Sequence, residues 1–185
     1  MTTGSRRWFF WTACAAVCLC SGIARVQAAG RPNVLFLFTD DQRADTIAAL
    51  GNNLIQTPNL DRLVRSGFVF RNAYCMGSMV GAVCMPSRTM MHSGLSLFHL
   101  KRAVPTRPHF GRSMKSLGYT TYLLCKRGNS PHALHKVFDS VQYLNDHQIR
   151  REGLAGKVAA DAAIKFLEGY KDEKPFFMYI GFAGP

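Results

Sequence analysis

Cys84-Met85-Pro86-Ser87-Arg88 puts a small nucleophilic side chain two residues before a proline, with a hydroxyl and a guanidinium close behind. Proline is well placed to open a helix. The unpaired N–H groups of a first helical turn favour an anion. The spacing therefore reads as a nucleophile aimed at a phosphate- or sulfate-like group, on a helix expected from Pro86 to near Gly94. A lone Cys-x-Pro is equally compatible with a buried structural cysteine, so the rest of the chain has to decide. Asp40-Asp41 is the second chemical feature, directly after the apolar run Asn33–Thr39. Adjacent carboxylates are costly unless a cation pairs with them, and a hard divalent ion with oxygen ligands suits them. An N-cap for a short helix over 43–50 is the alternative, and both readings stand on this pair. Lys126 and Arg127 form a third feature, at the end of a β-rich stretch.

The elements that must carry these residues follow from periodicity. Asn33–Thr39 predicts a buried central strand, with Asp40-Asp41 at its carboxyl end, the edge where open α/β sheets bind ligands. Thr57-Pro58 predicts a helix start with Thr57 as N-cap, an apolar stripe of Leu60, Leu63 and Val64, and a stop at Gly67. Phe68–Tyr74 alternates as a strand with one polar face. Further helices are expected at Pro108–Leu117 and Leu154–Tyr170, and further strands at Tyr119–Cys125 and Pro175–Phe182. Alternating strands and helices predict an α/β fold with a largely parallel sheet.

The first residues read as a leader outside the fold. Arg6 and Arg7 precede the apolar stretch Phe9–Ala24, and Val26-Gln27-Ala28 offers small residues for cleavage. Residues 1–28 are thus expected to be a signal peptide of the Sec or twin-arginine type, exporting residues 29–185 to the periplasm or outside the cell, with no stable membrane span after cleavage. The whole chain has 23 basic and 11 acidic residues; without Arg6, Arg7 and Arg25 the balance is 20 against 11, a net of +9. That suits an anionic substrate. With no dense basic run and no interleaved aromatic–basic module, nucleic acid is not an expected partner. Cleavage leaves three cysteines, Cys75, Cys84 and Cys125. An odd number leaves one unpaired in a monomer, and a Cys75–Cys84 disulfide would be the competing use.

Four segments in order, Arg31-Pro32-Asn33-Val34-Leu35 running into Asp40-Asp41, Thr57-Pro58-Asn59-Leu60-Asp61, Phe70-Arg71-Asn72-Ala73-Tyr74 and Cys84-Met85-Pro86-Ser87-Arg88, resemble the amino-terminal part of type I sulfatases. The resemblance implies an alkaline-phosphatase-like α/β fold with helices on both faces of the sheet, here truncated to the amino-terminal portion of a sulfatase catalytic domain. It implies a sulfuric ester hydrolase acting on aryl or carbohydrate sulfates. Cys84 would be oxidised to Cα-formylglycine by a formylglycine-generating or sulfatase-maturating enzyme that reads Cys84, Pro86 and Arg88. One hydroxyl of the hydrated aldehyde would attack sulfur and the other would let the sulfate leave. Asp40, Asp41 and position 84 would bind one divalent cation, usually Ca2+. Arg88 would stabilise the ionised diol, and Lys126, after Gly118-Tyr119-Thr120-Thr121, would contact the sulfate. The family usually reads Gly-Lys-Trp-His there, whereas this chain has Cys125-Lys126-Arg127-Gly128. His132 and His135 are the nearby candidates to replace the missing histidine. The Asp-Asn segment completing the family's cation site is expected beyond Pro185. A phosphonate or phosphate monoester hydrolase and a catalytically incomplete sulfatase fragment are the alternatives. The Met76–Val83 and Ser96–Arg107 segments are expected near the pocket.

Overall fold

A computed structural model describes residues 30–77, 81, 83–99, 109–129, 135–144 and 155–185. The expected leader, His132 and most of Ser96–Arg107 lie outside the described residues. Among the described residues four strands, β1 (Val34–Phe38), β2 (Thr120–Lys126), β3 (Ser140–Leu144) and β4 (Phe176–Gly181), form one sheet in the order β1-β4-β2-β3. All three pairings are parallel. The α-helices among the described residues are α1 (Pro58–Ser66), α2 (Cys84–Ser93), α3 (Phe110–Ser116) and α4 (Ala155–Gly169).

Strand periodicity divides the core into two layers. Tyr122, Leu124, Met178 and Ile180 face one way, against Ala159 and Ala163 of α4. Leu123, Cys125, Phe177 and Tyr179 face the other way, against Met91 of α2 and Phe110 and Met114 of α3. Helices therefore cover both faces, as parallel sheets require. Leu123 is completely buried, so Leu123→Ala is expected to cost about 2–5 kcal/mol of stability, measurable by urea unfolding.

Several elements differ from their sequence expectation. The first strand is at an edge of the sheet among the described residues, not in its centre. Val34, Phe36 and Phe38 pack into the α2/α3 layer, but Leu35 and Leu37 on the opposite face remain half exposed. The interior places go to β4, which pairs with β1 and β2, and to β2, which pairs with β4 and β3. No helix runs over 43–50; only a short 3₁₀ turn forms at Ala48–Leu50. Thr57 does not cap α1 with its side chain. Its hydroxyl instead donates to Asp61 Oδ1 at 2.8 Å and accepts from the Ala48 N–H at 2.8 Å, joining that 3₁₀ turn to α1. The Leu60/Leu63 stripe faces outward, with Leu63 56% exposed. Residues 68–74 form no strand. They find no ladder partner, and Phe68 and Phe70 pack on each other edge to face at 4.9 Å while both stay exposed. Conversely, β3 is a strand the pattern did not announce.

Candidate active site around Cys84

Both acidic residues leave the carboxyl end of β1. Asp40 is fixed by its backbone N–H, which donates to the Gly184 carbonyl at 3.2 Å, and it is 7% exposed. Asp41 follows in the left-handed region at φ 54°, a conformation Asp tolerates better than most side chains. This sharp turn, not a helix cap, is what the pair forms. Helix α2 begins at Cys84 itself, two residues earlier than expected. Pro86 then sits within the first turn, where its missing N–H costs no helical bond. Gly94 ends the helix at φ 68°, its N–H donating to the Met90 carbonyl at 2.8 Å.

The start of α2 meets the end of β1. The Cys84 thiol donates to Asp40 Oδ1 at 3.1 Å. Ligand atoms of Asp40, Asp41 and Cys84 all lie within 4.8 Å of one another. Arg88 is one helical turn beyond Cys84, on the same face. Its Nη1 donates to Asp40 Oδ1 at 3.4 Å and to the Cys84 carbonyl at 3.5 Å. The guanidinium lies 5.0 Å over the Phe38 ring, and its side chain is 3% exposed. Its Nε and Nη2 are buried with no hydrogen-bond partner among the described residues. Buried guanidinium donors without acceptors are expensive, so an anionic acceptor that reached them beside Cys84 would relieve that cost.

The carboxylate of Asp40 raises the Cys84 thiol pKa, first through their hydrogen bond and then with partial burial; Arg88 opposes this. A free thiolate is thus disfavoured, and the cysteine as such is a poor nucleophile. Cys75, Cys84 and Cys125 are all free thiols, so Cys75 and Cys84 are not bridged.

Lys126 is the last residue of β2, at the same carboxyl edge. Register places Phe38, Gly181 and Cys125 in one line across β1, β4 and β2, and Lys126 is the next residue. It makes no hydrogen bond to Asp40, Asp41, Cys84 or Arg88, so the structure gathers four of the five expected residues and leaves Lys126 along the edge. His135 points elsewhere. It is buried, with Nδ1 2.9 Å from the Tyr143 hydroxyl and Nε2 3.9 Å from Cys125 Sγ. Burial pushes that Cys125 thiol up to about 12, so it is inert.

Sequence reasoning passed over what lies beneath Arg88. His92, a further turn along α2, is 1% exposed and stacks on His109 with ring centroids 5.1 Å apart. Its ring also lies 4.8 Å from that of Tyr179. Among the described residues neither ring nitrogen of His92 has a hydrogen-bond partner, nor does the Tyr179 hydroxyl. Burial pushes His92 down to about 3 and His109 down to about 4. The spacing Arg88-x-x-x-His92 was a usable signal, because it puts both side chains on one helix face.

The sequence model of the family described as Sulfatase matches residues 32–185. The N-acetylglucosamine-6-O-sulfatase of Bacteroides thetaiotaomicron is 27% identical over 164 residues, which are 80% of this chain and 29% of that protein. The N-sulphoglucosamine sulphohydrolase of Homo sapiens is 30% identical over 185 residues, 94% of this chain and 35% of that protein. A protein solved in complex with its substrate, D-glucosamine-2-N,6-O-disulfate, gives a TM-score of 0.65 at 27% identity, over 82% of this chain and 34% of the other. The phosphonate monoester hydrolase of Agrobacterium radiobacter, at 20% identity and a TM-score of 0.62 over 82% of this chain and 40% of the other, shares the fold. The chain spans about a third of the length of the curated sulfatases it matches. With the family sequence model covering residues 32–185 and the acid pair folded onto the cysteine motif, the chain belongs to the sulfatase family.

Proposed function

We propose that this chain supplies the nucleophile-bearing part of a sulfuric ester hydrolase, and that sulfated glucosamine is its substrate class. One observation carries the reading: Asp40, Asp41 and Cys84 converge within 4.8 Å beside an arginine with two unpartnered buried donors. The substrate class rests on the names of two relatives and the substrate of one solved neighbour.

Position 84 would act as Cα-formylglycine, whose hydrate would supply one hydroxyl to attack sulfur with departure of the alcohol and a second whose deprotonation would expel sulfate and restore the aldehyde. Pro86 and Arg88 complete the motif for the maturation enzyme. The raised thiol pKa supports this, since the unmodified side chain is poorly ionised. Arg88 presents Nε–H and Nη2–H to the anion while its Nη1–H donates to Asp40 Oδ1. Lys126 adds a positive charge at the sheet edge, toward the sulfate. The donor set fits a hard divalent ion such as Ca2+: two carboxylates and an oxygen at position 84, with waters or substrate oxygens making up the roughly six to eight ligands it prefers. That ion would supply Lewis acidity at a sulfate oxygen. Export through the leader at 1–28 belongs to the same reading. Among the described residues, no helix is long and apolar enough to cross a membrane.

The test is metal dependence. Chelation is expected to abolish sulfate release by the matured protein, and added Ca2+ to restore it. Asp41 is exposed, so Asp41→Asn is expected to keep the fold and raise the Ca2+ needed for half-maximal activity at least about tenfold. Chelator-resistant hydrolysis would overturn the assignment.

A further inference from the structure

We propose that Arg127 is a second anion-binding residue of this site, so that the preferred ester carries another sulfate besides the one cleaved. This rests on the sulfate-ester reading above and adds a specificity determinant to it.

Arg127 is placed by the strand that carries Lys126. It opens the 3₁₀ turn Arg127–Asn129 directly after β2, and α2 packs against that turn. Asp40 is two residues beyond Phe38, as Arg127 is two residues beyond Cys125, and those strand ends are aligned through Gly181. Two strand spacings of about 4.8 Å separate these backbone positions, and the Arg127 guanidinium lies over Tyr143 of β3, one spacing farther out, so it stands on the order of 10–15 Å from Asp40 along the edge. That span suits two separate sulfates of one ester better than two oxygens of one sulfate.

Arg127 is exposed yet held in place. Its guanidinium carbon lies 5.1 Å over the Tyr143 ring. Tyr143 is tethered from below, its hydroxyl 2.9 Å from Nδ1 of the buried His135. An arginine already stacked on a fixed ring loses less rotamer freedom on gripping an anion. Among the described residues the ion pairs are Arg43–Asp45, Arg88–Asp40, Lys115–Asp139 and Lys157–Asp161. Neither Lys126 nor Arg127 is in one of these, so two adjacent cations stand at the edge without a neutralising acid among the described residues. The planar guanidinium fork can meet two sulfate oxygens at once, which an ammonium cannot.

The test measures binding and turnover on one ligand pair. Calorimetry with the full chain would compare glucosamine 2-N,6-O-disulfate with N-acetylglucosamine 6-sulfate. Arg127→Ala is expected to weaken the disulfate about tenfold and the monosulfate less than about twofold. Arg127→Lys should fall between, because it keeps charge without the fork. Tyr143→Leu should reproduce part of the loss. Equal losses on both ligands, no loss on either, or failure of the unsubstituted chain to bind the disulfate overturns the proposal. Turnover separates it from the underlying reading. Selective binding without hydrolysis by the matured protein would retain Arg127 and sink the hydrolase, while hydrolysis without selectivity would do the reverse.

Discussion

Alanine at position 84 is expected to abolish sulfate release while the protein stays folded. Cys84 is partly buried at the first position of α2, where alanine suits the helix. Its thiol makes one side-chain hydrogen bond, to Asp40, and Asp40 keeps the Arg88 guanidinium as partner. The stability change should therefore stay within about 1 kcal/mol. Catalysis has no such reserve. Without an oxygen nucleophile at position 84, Asp40, Asp41 and Arg88 can bind a sulfate ester but cannot form a bond to it. The loss in kcat should be at least about a thousandfold. Sulfate release and thermal melting, measured on the matured protein and on Cys84→Ala, check both halves. Arg88 is a poorer probe, because removing it takes the paired positive charge from a buried carboxylate and costs several kcal/mol.

The second large effect is acid instability driven by the stacked histidines. His92 and His109 are 1% and 3% exposed. Desolvation is the main cause that lowers both; His109, His135 and Arg88 add to it at His92, and Arg112 and His135 at His109. Their folded pKa values, about 3 and about 4, lie below the 6.5 of an unfolded histidine. The unfolded chain thus binds more protons below pH 6.5, and stability rises with pH across that window. It is complete above about pH 6.5 and is lost as pH falls toward 4 and 3. At pH 4.5 the two groups together should cost up to about 5 kcal/mol, comparable to the whole stability of a small domain. Urea unfolding at pH 7.5 and 4.5 tests this. His92→Leu should remove roughly half of the difference, and should stabilise at both pH values by eliminating two unpartnered buried nitrogens. An unchanged pH dependence in that variant would contradict the account.

The parts of the fold legible in the sequence were those with strong local signals. Two fully buried strands announced themselves as apolar runs, Thr120–Lys126 and Phe176–Gly181, because both their faces are covered. Helix ends at Gly67 and Gly94 were readable from glycine chemistry. Where a signal needs a tertiary partner, the reading slipped. Alternation in Phe68–Tyr74 makes a strand only if a sheet edge receives it, and none does. Strand β3 was hidden because Ser140, Val141 and Gln142 are exposed, leaving little apolar pattern to read. The run at β1 suggested a central strand, yet its Leu35/Leu37 face lies beyond the reach of α4. Position in the sheet is set by pairing order, which periodicity does not encode.

The site divides in the same way. Cys84, Arg88, Asp40 and Asp41 were identifiable because their chemistry depends on residue type and short spacing. Their convergence depends on β1 ending where α2 begins, a contact across more than forty residues. Phe38 under Arg88, and the buried Tyr179 behind it, were invisible as a site because each alone reads as ordinary core, whereas His92 was signalled by its spacing from Arg88. Lys126 was placed by its strand, and the stacking of Arg127 on Tyr143 only by a β2–β3 pairing that the sequence did not reveal.

The central claim is that Cys84 is the precursor of the nucleophile and not the nucleophile itself. The most direct measurement is the mass of the peptide spanning residue 84, from protein produced together with a formylglycine-generating enzyme. The account predicts the mass of an aldehyde in place of the thiol, with the Arg88→Ala peptide left unconverted. A Cys84 peptide that keeps its thiol mass under those conditions would contradict it.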